Sequence, residues 1–315
     1  MDNMVEDLVI VGSGPAGLTA AIYTAREGFK PLMINGINEG GQLTLTTAIE
    51  NYPGFPDGVL GPDLIALMKK QAEKFGTRFA GEDVQSVDFS KRPFKLKTNS
   101  SEYEARCVII ATGASANWLG IPSEQKFIGK GVSSCATCDG PFFKRKNVVV
   151  IGGGDTAMTD SLVLTMFADS VTIVHRRDQF RASKIMQDRV LSNKKIKVIW
   201  NSSIEEINGD ARVNGVTIKN TATNEIARIP TDGVFVAIGY SPNTKFLEGK
   251  LKLDEHGYII TKDEIKTDIE GIFVAGDVAD HVYRQAVSAA GSGAKAALEA
   301  RDYLQGLDYT ANHKQ

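Results

Sequence analysis

Two Gly-rich segments constrain the fold of this chain more than any other feature of its sequence. Each comes directly after a short apolar run, at residues 7–11 and 147–151, and each opens a helical pattern. A G-x-G-x-x-G/A turn between a buried strand and a helix is the fingerprint of the dinucleotide-binding βαβ unit. We therefore predict an α/β chain with two Rossmann-like, three-layer ββα domains. The two fingerprints are Gly12-Ser13-Gly14-Pro15-Ala16-Gly17 and Gly152-Gly153-Gly154-Asp155-Thr156-Ala157.

Each glycine of a fingerprint has its own purpose. The first allows a tight turn, the second lets the backbone approach a pyrophosphate, and the third permits close packing of helix on strand. We expect the amides of residues 13–16 to face phosphate oxygens, which the positive end of the following helix also favours. The second fingerprint ends in Ala157 instead of glycine, which is an accepted variant. Its predicted nucleotide-binding residues are Gly152, Gly154, Asp155 and Thr156.

The two halves of the chain share one layout, which indicates an internal duplication. Each runs from a fingerprint through a β-rich excursion to an apolar strand that ends in a small-residue turn. A last strand at 271–277 and a helix at 285–304 do not fit the second half, so we expect them to complete the first. The second domain is then an insertion, and the chain is expected to cross between the two domains near 115–120 and 244–248. The predicted domains are residues 1–117 with 246–315, and residues 118–245.

Two finer expectations concern helices. An amphipathic helix is predicted at 63–75, ending at Gly76, and the tail at 311–315 is expected to be frayed. The residues expected on the buried face of the helix at 63–75 are Leu64, Leu67, Met68, Gln71 and Phe75.

Composition excludes several classes of protein. A formal net charge of −2 over 315 residues gives no sign of a nucleic-acid footprint. No apolar run approaches the roughly 20 residues that a membrane span needs. The acidic start of the chain argues against a secretory signal. Three cysteines are too few for a disulfide scaffold, so we expect a cytoplasmic protein.

Arginines at the end of one strand indicate which nucleotide the second unit binds. Its second strand, at 171–174, exits into His175-Arg176-Arg177, and Arg181 follows. An acidic residue at this point would hold the ribose 2′-hydroxyl of NAD, whereas arginines accommodate a 2′-phosphate. A surface charge run is the alternative, but the position at a strand end makes it the weaker one. We predict that this unit binds NADPH in preference to NADH.

The first unit lacks such a signal, because its second strand exits into Asn35-Gly36. With NADPH assigned to the other site, we expect this unit to hold the acceptor of its hydride, a flavin. Asp277 ends a parallel strand, where a carboxylate can hold a polyol hydroxyl, and a helix starts near Arg284-Gln285-Ala286. The alternative is that Asp277 merely caps that helix region.

Between the fingerprints lies the pair Cys135-Ala136-Thr137-Cys138. The spacing allows a disulfide to close and commonly lowers the pKa of one thiol. A zinc site needs about four ligands, and the chain offers no second such pair, so we expect no metal. Asp139 follows at once and is placed to exchange a proton with the thiols. Cys107 lies in a buried-type strand and is expected to be packing.

The ordered set of motifs resembles the bacterial-type, low-molecular-weight thioredoxin reductases over essentially the whole chain. The matching segments are the first fingerprint, Gly40-Gly41-Gln42-Leu43, Glu50-Asn51-Tyr52-Pro53-Gly54, Ala111-Thr112-Gly113-Ala114, Cys135-Ala136-Thr137-Cys138-Asp139-Gly140, residues 175–181, and Gly276-Asp277-Val278 with Tyr283-Arg284-Gln285-Ala286.

The resemblance implies FAD in the first domain, NADPH in the inserted one, a homodimer, and thioredoxin as the protein substrate. It implies that Cys138 is the thiol nearer the flavin, that Cys135 exchanges with thioredoxin, and that Asp139 donates the proton. The residues implied to contact FAD are the first fingerprint with Gly41, Gln42, Asn51, Thr112, Gly113, Asp277, Arg284, Gln285 and Ala286.

Two departures from the family pattern affect partner specificity. Lys130 stands where an arginine that contacts thioredoxin is common, and Pro141 precedes two phenylalanines where many relatives have Ala or Phe. Phe142 and Phe143 are therefore candidates for docking thioredoxin, and packing beneath the dithiol loop is an equally good interpretation.

Because the dithiol and the nicotinamide site both belong to the inserted domain, we expect that domain to rotate between flavin reduction and thiol exchange. Three other functions remain open: the reductase of a peroxide-scavenging system, a small-molecule dithiol oxidase, and a non-catalytic NADPH sensor. The first of these usually carries an extra N-terminal dithiol domain. The second needs no 2′-phosphate arginines, and the third predicts no bound flavin.

Overall fold

The computed structural model describes residues 5–46 and 48–312 of the chain. These residues form two compact units, which divide the chain into Met1–Ser115 with Ser241–Gln315 and Ala116–Tyr240. The second unit is inserted into the first, as the sequence predicts. The sequence places the inserted domain at 118–245, and the structural division lies at 115/116 and 240/241.

Each of the two units contains both α-helices and β-strands. The α-helices are α1 (Pro15–Arg26), α2 (Gly61–Lys74), α3 (Pro122–Phe127), α4 (Ala136–Asp139), α5 (Asp155–Leu164), α6 (Lys184–Ser192) and α7 (Ala286–Asn312). The strands are β1 (Val5–Val11), β2 (Leu32–Ile34), β3 (Ala48–Ile49), β4 (Val59–Leu60), β5 (Arg78–Ala80), β6 (Val84–Asp88), β7 (Phe94–Thr98), β8 (Glu102–Ile110), β9 (Ala114–Ala116), β10 (Val132–Ser133), β11 (Asn147–Ile151), β12 (Ser170–Val174), β13 (Ile196–Ile199), β14 (Ser202–Gly209), β15 (Val213–Asn220), β16 (Ile226–Pro230), β17 (Gly233–Val236), β18 (Tyr240–Pro242) and β19 (Ile272–Val274).

The first unit is built on one mixed sheet of order β5-β2-β1-β8-β7-β6, to which β19 adds by pairing with β8. The strands β1, β2, β5, β8 and β19 are parallel, and β6, β7 and β8 form an antiparallel meander. Because β19 joins this sheet, the last strand of the chain completes the first unit, and the predicted insertion is confirmed.

Both faces of this sheet are covered, and the residues of β1 alternate between them. Leu8 and Ile10 pack with the helices α1, α2 and α7, whereas Val9 and Val11 pack with Phe94 and other residues on the opposite face. Such two-sided burial explains why β1 is a continuous apolar run instead of an alternating one.

The buried face of α2 differs from the one that the sequence predicts. Leu64 and Met68 are buried as expected, but Leu67 is 52 % exposed. The buried residues are Gly61, Leu64, Ile65, Met68 and Ala72, which follow a spacing of three and four along the helix. The assignment of Leu67 and Gln71 to the buried face was wrong, because two adjacent stripes of this helix contain apolar residues. The stripe that packs against the core is the one that contains the small residues Gly61 and Ala72.

The second unit repeats the plan on a smaller scale. Its parallel sheet has the order β10-β17-β11-β12-β13, and a separate antiparallel sheet contains β14, β15 and β16. Two apolar clusters pack on the two faces of the parallel sheet, one with α5 and the other with the antiparallel sheet. The mixed α/β architecture with two dinucleotide-binding folds is therefore confirmed.

The two chain crossings between the units run side by side, because β9 and β18 form a two-stranded sheet of their own. Past the second crossing, the Asn243 backbone amide donates to the carbonyl of Gly113 at 3.0 Å, within the first unit. This bond explains why the first unit resumes at Ser241, before the expected crossing.

The C-terminal helix is longer than the sequence indicates. It continues to Asn312, so Ala311 is helical where a frayed tail is predicted, and residues 313–315 lie outside the described part of the chain. None of the described helices combines the length and the apolarity needed to cross a membrane.

Candidate active site

The first fingerprint forms the tight turn between β1 and α1. Gly12 has a φ of +106°, which favours glycine, and a Cβ at Gly17 would lie 2.0 Å from the Gly12 carbonyl oxygen. A Cβ at Gly14, in contrast, would meet nothing within 4 Å. The first and third glycines are thus required by the chain itself, while the second leaves the backbone open to an approaching ligand.

Ser13 fixes the surroundings of this turn. Its buried hydroxyl donates to the carbonyl of Asn35 at 2.7 Å and accepts from the amide of Gly40 at 2.9 Å. It therefore joins the fingerprint to the end of β2 and to the loop that contains Gly41 and Gln42. The Ser13 side chain is fully used inside the protein, so a phosphate would meet the backbone at this position.

Asn35 was not among the residues predicted for the site. It is 8 % exposed, and its Oδ1 is buried without a hydrogen-bond partner among the described residues. A buried acceptor of this kind is costly unless a donor reaches it. The sequence held a signal for it, since Asn35 directly follows the second strand, where dinucleotide folds place their ribose-binding residue.

Predicted residues that are far apart in sequence meet in the first unit. The Asn51 side-chain amide donates to Oε1 of Gln285 at 3.2 Å. The hydroxyl of Thr112 donates to the carbonyl of Asn243 at 2.9 Å, beside Gly113, which has a φ of +67°. Gly41 and Gln42 begin a short 3-10 helix, Gly41–Leu45.

Asp277 lies just after β19, and its Oδ1 is buried without a partner among the described residues. Burial, together with the nearby charge of Asp280, raises the pKa of Asp277 to about 7, and Arg284 offsets this only in part. At the start of α7 the Gln285 amide donates to the hydroxyl of Ser288, so Oδ1 of Asp277 is not used there as a cap. This oxygen is available to a ligand hydroxyl.

The two cysteines between the fingerprints form a disulfide, with a Cα–Cα distance of 5.3 Å. Cys135 caps the short helix α4, and its Sγ accepts from the amide of Cys138 at 3.2 Å. The Cys135 amide donates to the hydroxyl of Ser133 at 3.0 Å, and the Tyr240 hydroxyl donates to the carbonyl of Ser134 at 2.7 Å. The loop before the disulfide is therefore held at two points.

Asp139 is the carboxylate nearest in sequence to the disulfide, and it lies in the same short helix as Cys138. Burial raises the pKa of Asp139, and a hydrogen bond from Ser133 opposes this shift in part. A carboxyl that stays protonated closer to neutral pH can both donate and accept a proton during thiol exchange. Ser133 thus contacts both the Cys135 backbone and this acid.

The two phenylalanines after the dithiol have different environments. Phe143 is buried and packs edge-on against Phe235, with ring centroids 5.2 Å apart. Phe142 is 38 % exposed. Packing therefore accounts for Phe143, and only Phe142 remains a candidate for contact with a partner protein. Lys130 is exposed as well.

The second fingerprint has the same geometry as the first. Gly152 has a φ of +150°, and a Cβ there would lie 2.3 Å from the Ala237 carbonyl oxygen, whereas a Cβ at Gly154 would meet nothing within 4 Å. Asp155 and Thr156 begin α5, as a phosphate-facing turn requires. Gly153 packs directly on the ring of His175, since a Cβ at Gly153 would lie 2.2 Å from it.

The predicted arginines follow β12 and are exposed: Arg176, Arg177 and Arg181. His175 is only 5 % exposed, and its Nε2–H donates to the carbonyl of Gln179 at 3.0 Å. Burial lowers the pKa of His175, so its ring is neutral near pH 7. The guanidinium groups can reach a ligand, while the imidazole supports Gly153 from inside the unit.

The described residues contain no group of three or more His, Cys, Asp or Glu side chains arranged to hold a metal ion. Cys107 is a free thiol buried in β8. The disulfide with Asp139 is therefore the reactive group that this site offers, and the two fingerprints offer open backbone to ligands.

Comparison with known proteins identifies the family. The pyridine nucleotide-disulphide oxidoreductase family model matches residues 6–293. A thioredoxin reductase of Rickettsia conorii is 55 % identical over 302 residues, which cover 94 % of this chain and 97 % of that protein. The chain belongs to this family of oxidoreductases.

Further members resemble the chain along nearly its whole length. Thioredoxin reductase 2 of Arabidopsis thaliana is 50 % identical over an alignment of 320 positions, which covers 97 % of this chain and 84 % of that protein. The crystal structure of thioredoxin reductase from Streptococcus pyogenes superposes with a TM-score of 0.93 at 42 % identity, and covers 97 % of this chain and 100 % of that one. Among the disulphide oxidoreductases, the chain is therefore a thioredoxin reductase by sequence and by fold, and its cofactors are a flavin and a pyridine nucleotide.

Proposed function

We propose that this oxidoreductase uses FAD and NADPH to reduce the disulfide of thioredoxin. The observation that carries the proposal is the Cys135–Cys138 disulfide with Asp139 beside it, in the same compact unit as a fingerprint followed by arginines. Membership of the pyridine nucleotide-disulphide oxidoreductases alone leaves the nucleotide and the substrate open. The arginines favour NADPH, and an accessible dithiol favours a disulfide substrate.

Two kinds of observation support the proposal that the first unit binds FAD. Gly14 leaves open backbone at the start of α1, and Oδ1 of both Asn35 and Asp277 is buried without a partner among the described residues. The residues proposed to hold FAD are Gly12, Ser13, Gly14, Pro15, Ala16, Gly17, Gly41, Gln42, Asn51, Thr112, Gly113, Asp277, Arg284, Gln285 and Ala286, and we add Asn35.

In the second unit, we propose that Gly152, Gly154 and Thr156 face the pyrophosphate of NADPH, and that Arg176, Arg177 and Arg181 take its 2′-phosphate. Guanidinium groups bind phosphate oxygens in pairs, which suits a terminal phosphate with three free oxygens. His175 and Asp155 belong to the same site, but their side chains are engaged with the protein.

FAD held by the first unit would supply a two-electron carrier between the hydride of NADPH and the Cys135–Cys138 disulfide. The chain then contributes thiol chemistry. We propose that the Cys135 thiolate attacks one sulfur of the thioredoxin disulfide, forms a mixed disulfide, and releases a thioredoxin thiolate. The Cys138 thiolate next attacks the Cys135 sulfur, which restores the internal disulfide and frees reduced thioredoxin. Asp139 exchanges the accompanying proton, and its raised pKa suits that role.

Two further features of the proposal rest on the family resemblance and on cysteine usage. We propose a homodimer, which sedimentation of the purified protein tests directly. We also propose a cytoplasmic location, because the chain has one buried free thiol and one redox dithiol, and this use of cysteine is typical of a reducing compartment.

Replacing one thiol tests the proposal. In Cys138→Ser, we expect NADPH to bleach the yellow protein as in the wild type, while thioredoxin reduction falls by about 10³-fold or more. The measurement is an anaerobic NADPH titration followed by oxidised thioredoxin. Cys107→Ala is the matched control, because Cys107 is buried in β8 of the first unit whereas the dithiol belongs to the second, and it should keep full activity.

Three outcomes would contradict the proposal. Retained thioredoxin reduction by Cys138→Ser would remove the dithiol from the reaction. A colourless protein that binds NADPH would indicate a redox sensor. A yellow protein that NADPH bleaches, but that oxidised thioredoxin does not restore, would indicate another disulfide substrate.

A further inference from the structure

The arginines of the second unit lie in a segment, residues 176–183, that is tied back to the second fingerprint. We call it the arginine segment. The amides of Arg181 and Ala182 both donate to the carbonyl of Gly153, at 2.8 and 3.2 Å. The middle glycine of the fingerprint therefore holds the far end of the arginine segment through its backbone.

A second tie joins side chains. One carboxylate oxygen of Asp155, Oδ1, accepts from the Ser183 amide at 3.0 Å and from the Ser183 hydroxyl at 2.8 Å. Asp155 is the first residue of α5, and Ser183 is the last residue before α6. This pair, the Asp155–Ser183 clasp, connects the start of the nucleotide-facing helix to the end of the arginine segment.

A third tie lies beneath the arginine segment. Phe180 is 6 % exposed, and its ring centroid lies 4.3 Å from that of Trp200 and 5.5 Å from that of His175. Between this aromatic anchor and the Asp155–Ser183 clasp, Arg181 remains exposed. The protein thus buries one side chain of the arginine segment and fixes the next turn of chain by hydrogen bonds.

The carboxylate of Asp155 is unsuited to bind a phosphate directly, because like charges repel and its Oδ1 already accepts two hydrogen bonds. Nor does it occupy the ribose-binding position, which follows the second strand of the unit, at His175. Its contacts point to a different purpose.

We propose that Asp155 and Ser183 are positioning residues that hold the arginine segment ready for the 2′-phosphate, and so determine the preference for NADPH over NADH. This inference rests on the proposed function of the second unit. The clasp joins the pyrophosphate end of the site to its 2′-phosphate end. Breaking it frees Arg181 to move, and binding must then order the segment again.

The test compares two ligands that differ only in the 2′-phosphate. Calorimetry on the flavin-loaded protein gives the dissociation constants of 2′,5′-ADP and of 5′-AMP. In Asp155→Ala, we expect the affinity for 2′,5′-ADP to fall about tenfold, since hydrogen bonds to a charged group are lost, and that for 5′-AMP to change less than about twofold. In steady state, KM for NADPH should rise similarly, with kcat unchanged at saturation.

Three further variants separate positioning from a general structural effect. Asp155→Asn keeps an oxygen acceptor and should restore most of the discrimination. Ser183→Ala keeps the backbone bond and should lie between wild type and Asp155→Ala. Ser192→Ala is the control, because the Ser192 hydroxyl donates only to the carbonyl of Arg189 at the end of α6, and it should leave both dissociation constants unchanged.

The outcomes distinguish this inference from the function on which it rests. If the wild type binds both ligands equally, the assignment of NADPH fails. If the wild type discriminates and Asp155→Ala discriminates equally well, the clasp has no such role. Tighter binding of 2′,5′-ADP by Asp155→Ala would overturn the inference too, because Asp155 would then act only as a repelling charge. Failure of Asp155→Asn to restore discrimination would remove the hydrogen-bond explanation.

Discussion

Asp277 shows how one buried carboxylate can report ligand binding. Its pKa is raised to about 7, mainly by burial, and its Oδ1 has no partner among the described residues. A hydroxyl that donates to this carboxylate would stabilise the ionised form and lower the pKa again. Binding is then linked to release of a proton wherever the pH lies below about 7.

We therefore expect the affinity of the flavin-free protein for FAD to be constant above about pH 7 and to weaken below it. The weakening approaches about tenfold per pH unit while the bound carboxylate stays ionised. Fluorescence titration with FAD at several pH values measures this directly. Asp277→Asn should bind FAD more weakly at high pH and should lack the slope. Affinity that rises at low pH would show that Asp277 acts as a donor instead.

At the scale of single residues, sequence reasoning finds groups that stand in a motif and misses groups that depend on distant partners. The spacing of Cys135 and Cys138 allowed a disulfide, and the flanking fingerprints favoured a redox pair over a metal site. Glu124, however, is a fully buried carboxylate that accepts from the amides of Leu119 and Gly120, and nothing in its sequence surroundings indicates burial. Asn35 was passed over because it is uncharged.

At the scale of elements, the first fingerprint contains one glycine that the fold requires and one that leaves space for a ligand. Gly17 is closed in by the chain, since a Cβ there would lie 2.0 Å from a backbone oxygen that cannot move aside. Gly14 has a φ of −71° and open space around its Cβ position. An alanine in place of Gly17 disturbs the packing of α1, whereas an alanine in place of Gly14 meets only a ligand.

Gly17→Ala should therefore destabilise the flavin-free protein by about 1–3 kcal/mol, the usual cost of overpacking. Gly14→Ala is the matched control. It should leave the stability of the flavin-free protein unchanged or raise it slightly, while its affinity for FAD falls. Thermal unfolding and FAD titration of both variants provide the measurements. Normal FAD affinity in Gly14→Ala would mean that the cofactor does not approach the backbone there.

Elements with a strong local signal were predictable, and their neighbours were less so. The strand at 147–151 and the start of α1 follow directly from apolar runs and glycines. The stripe of α2 that packs could not be chosen, because Leu67 looks as apolar as Leu64 and only tertiary contacts expose it. The Asp155–Ser183 clasp joins the first residue of α5 to the residue that precedes α6, and no spacing rule connects them.

At the scale of the whole molecule, the chain crosses between its units twice, and the two crossings are paired strands, β9 and β18. The order of the units along the chain was predictable from the repeat of the fingerprint. The positions of the crossings depend on bonds such as that of Asn243 to Gly113, which the sequence does not reveal.

The dithiol and the arginine segment belong to the same unit, and FAD is proposed to lie in the other. Both the dithiol and the nicotinamide must exchange electrons with one flavin, so we propose that the inserted unit rotates between the two half-reactions.

Covalent cross-links between the units should then preserve at most one half-reaction and abolish repeated turnover with thioredoxin. Stopped-flow measurement of flavin reduction by NADPH, and of its reoxidation by thioredoxin, distinguishes the halves. A periodate-cleavable cross-linker gives the control, because cleavage should restore turnover; a cross-linked protein that turns over at the uncross-linked rate would show that rotation is not needed.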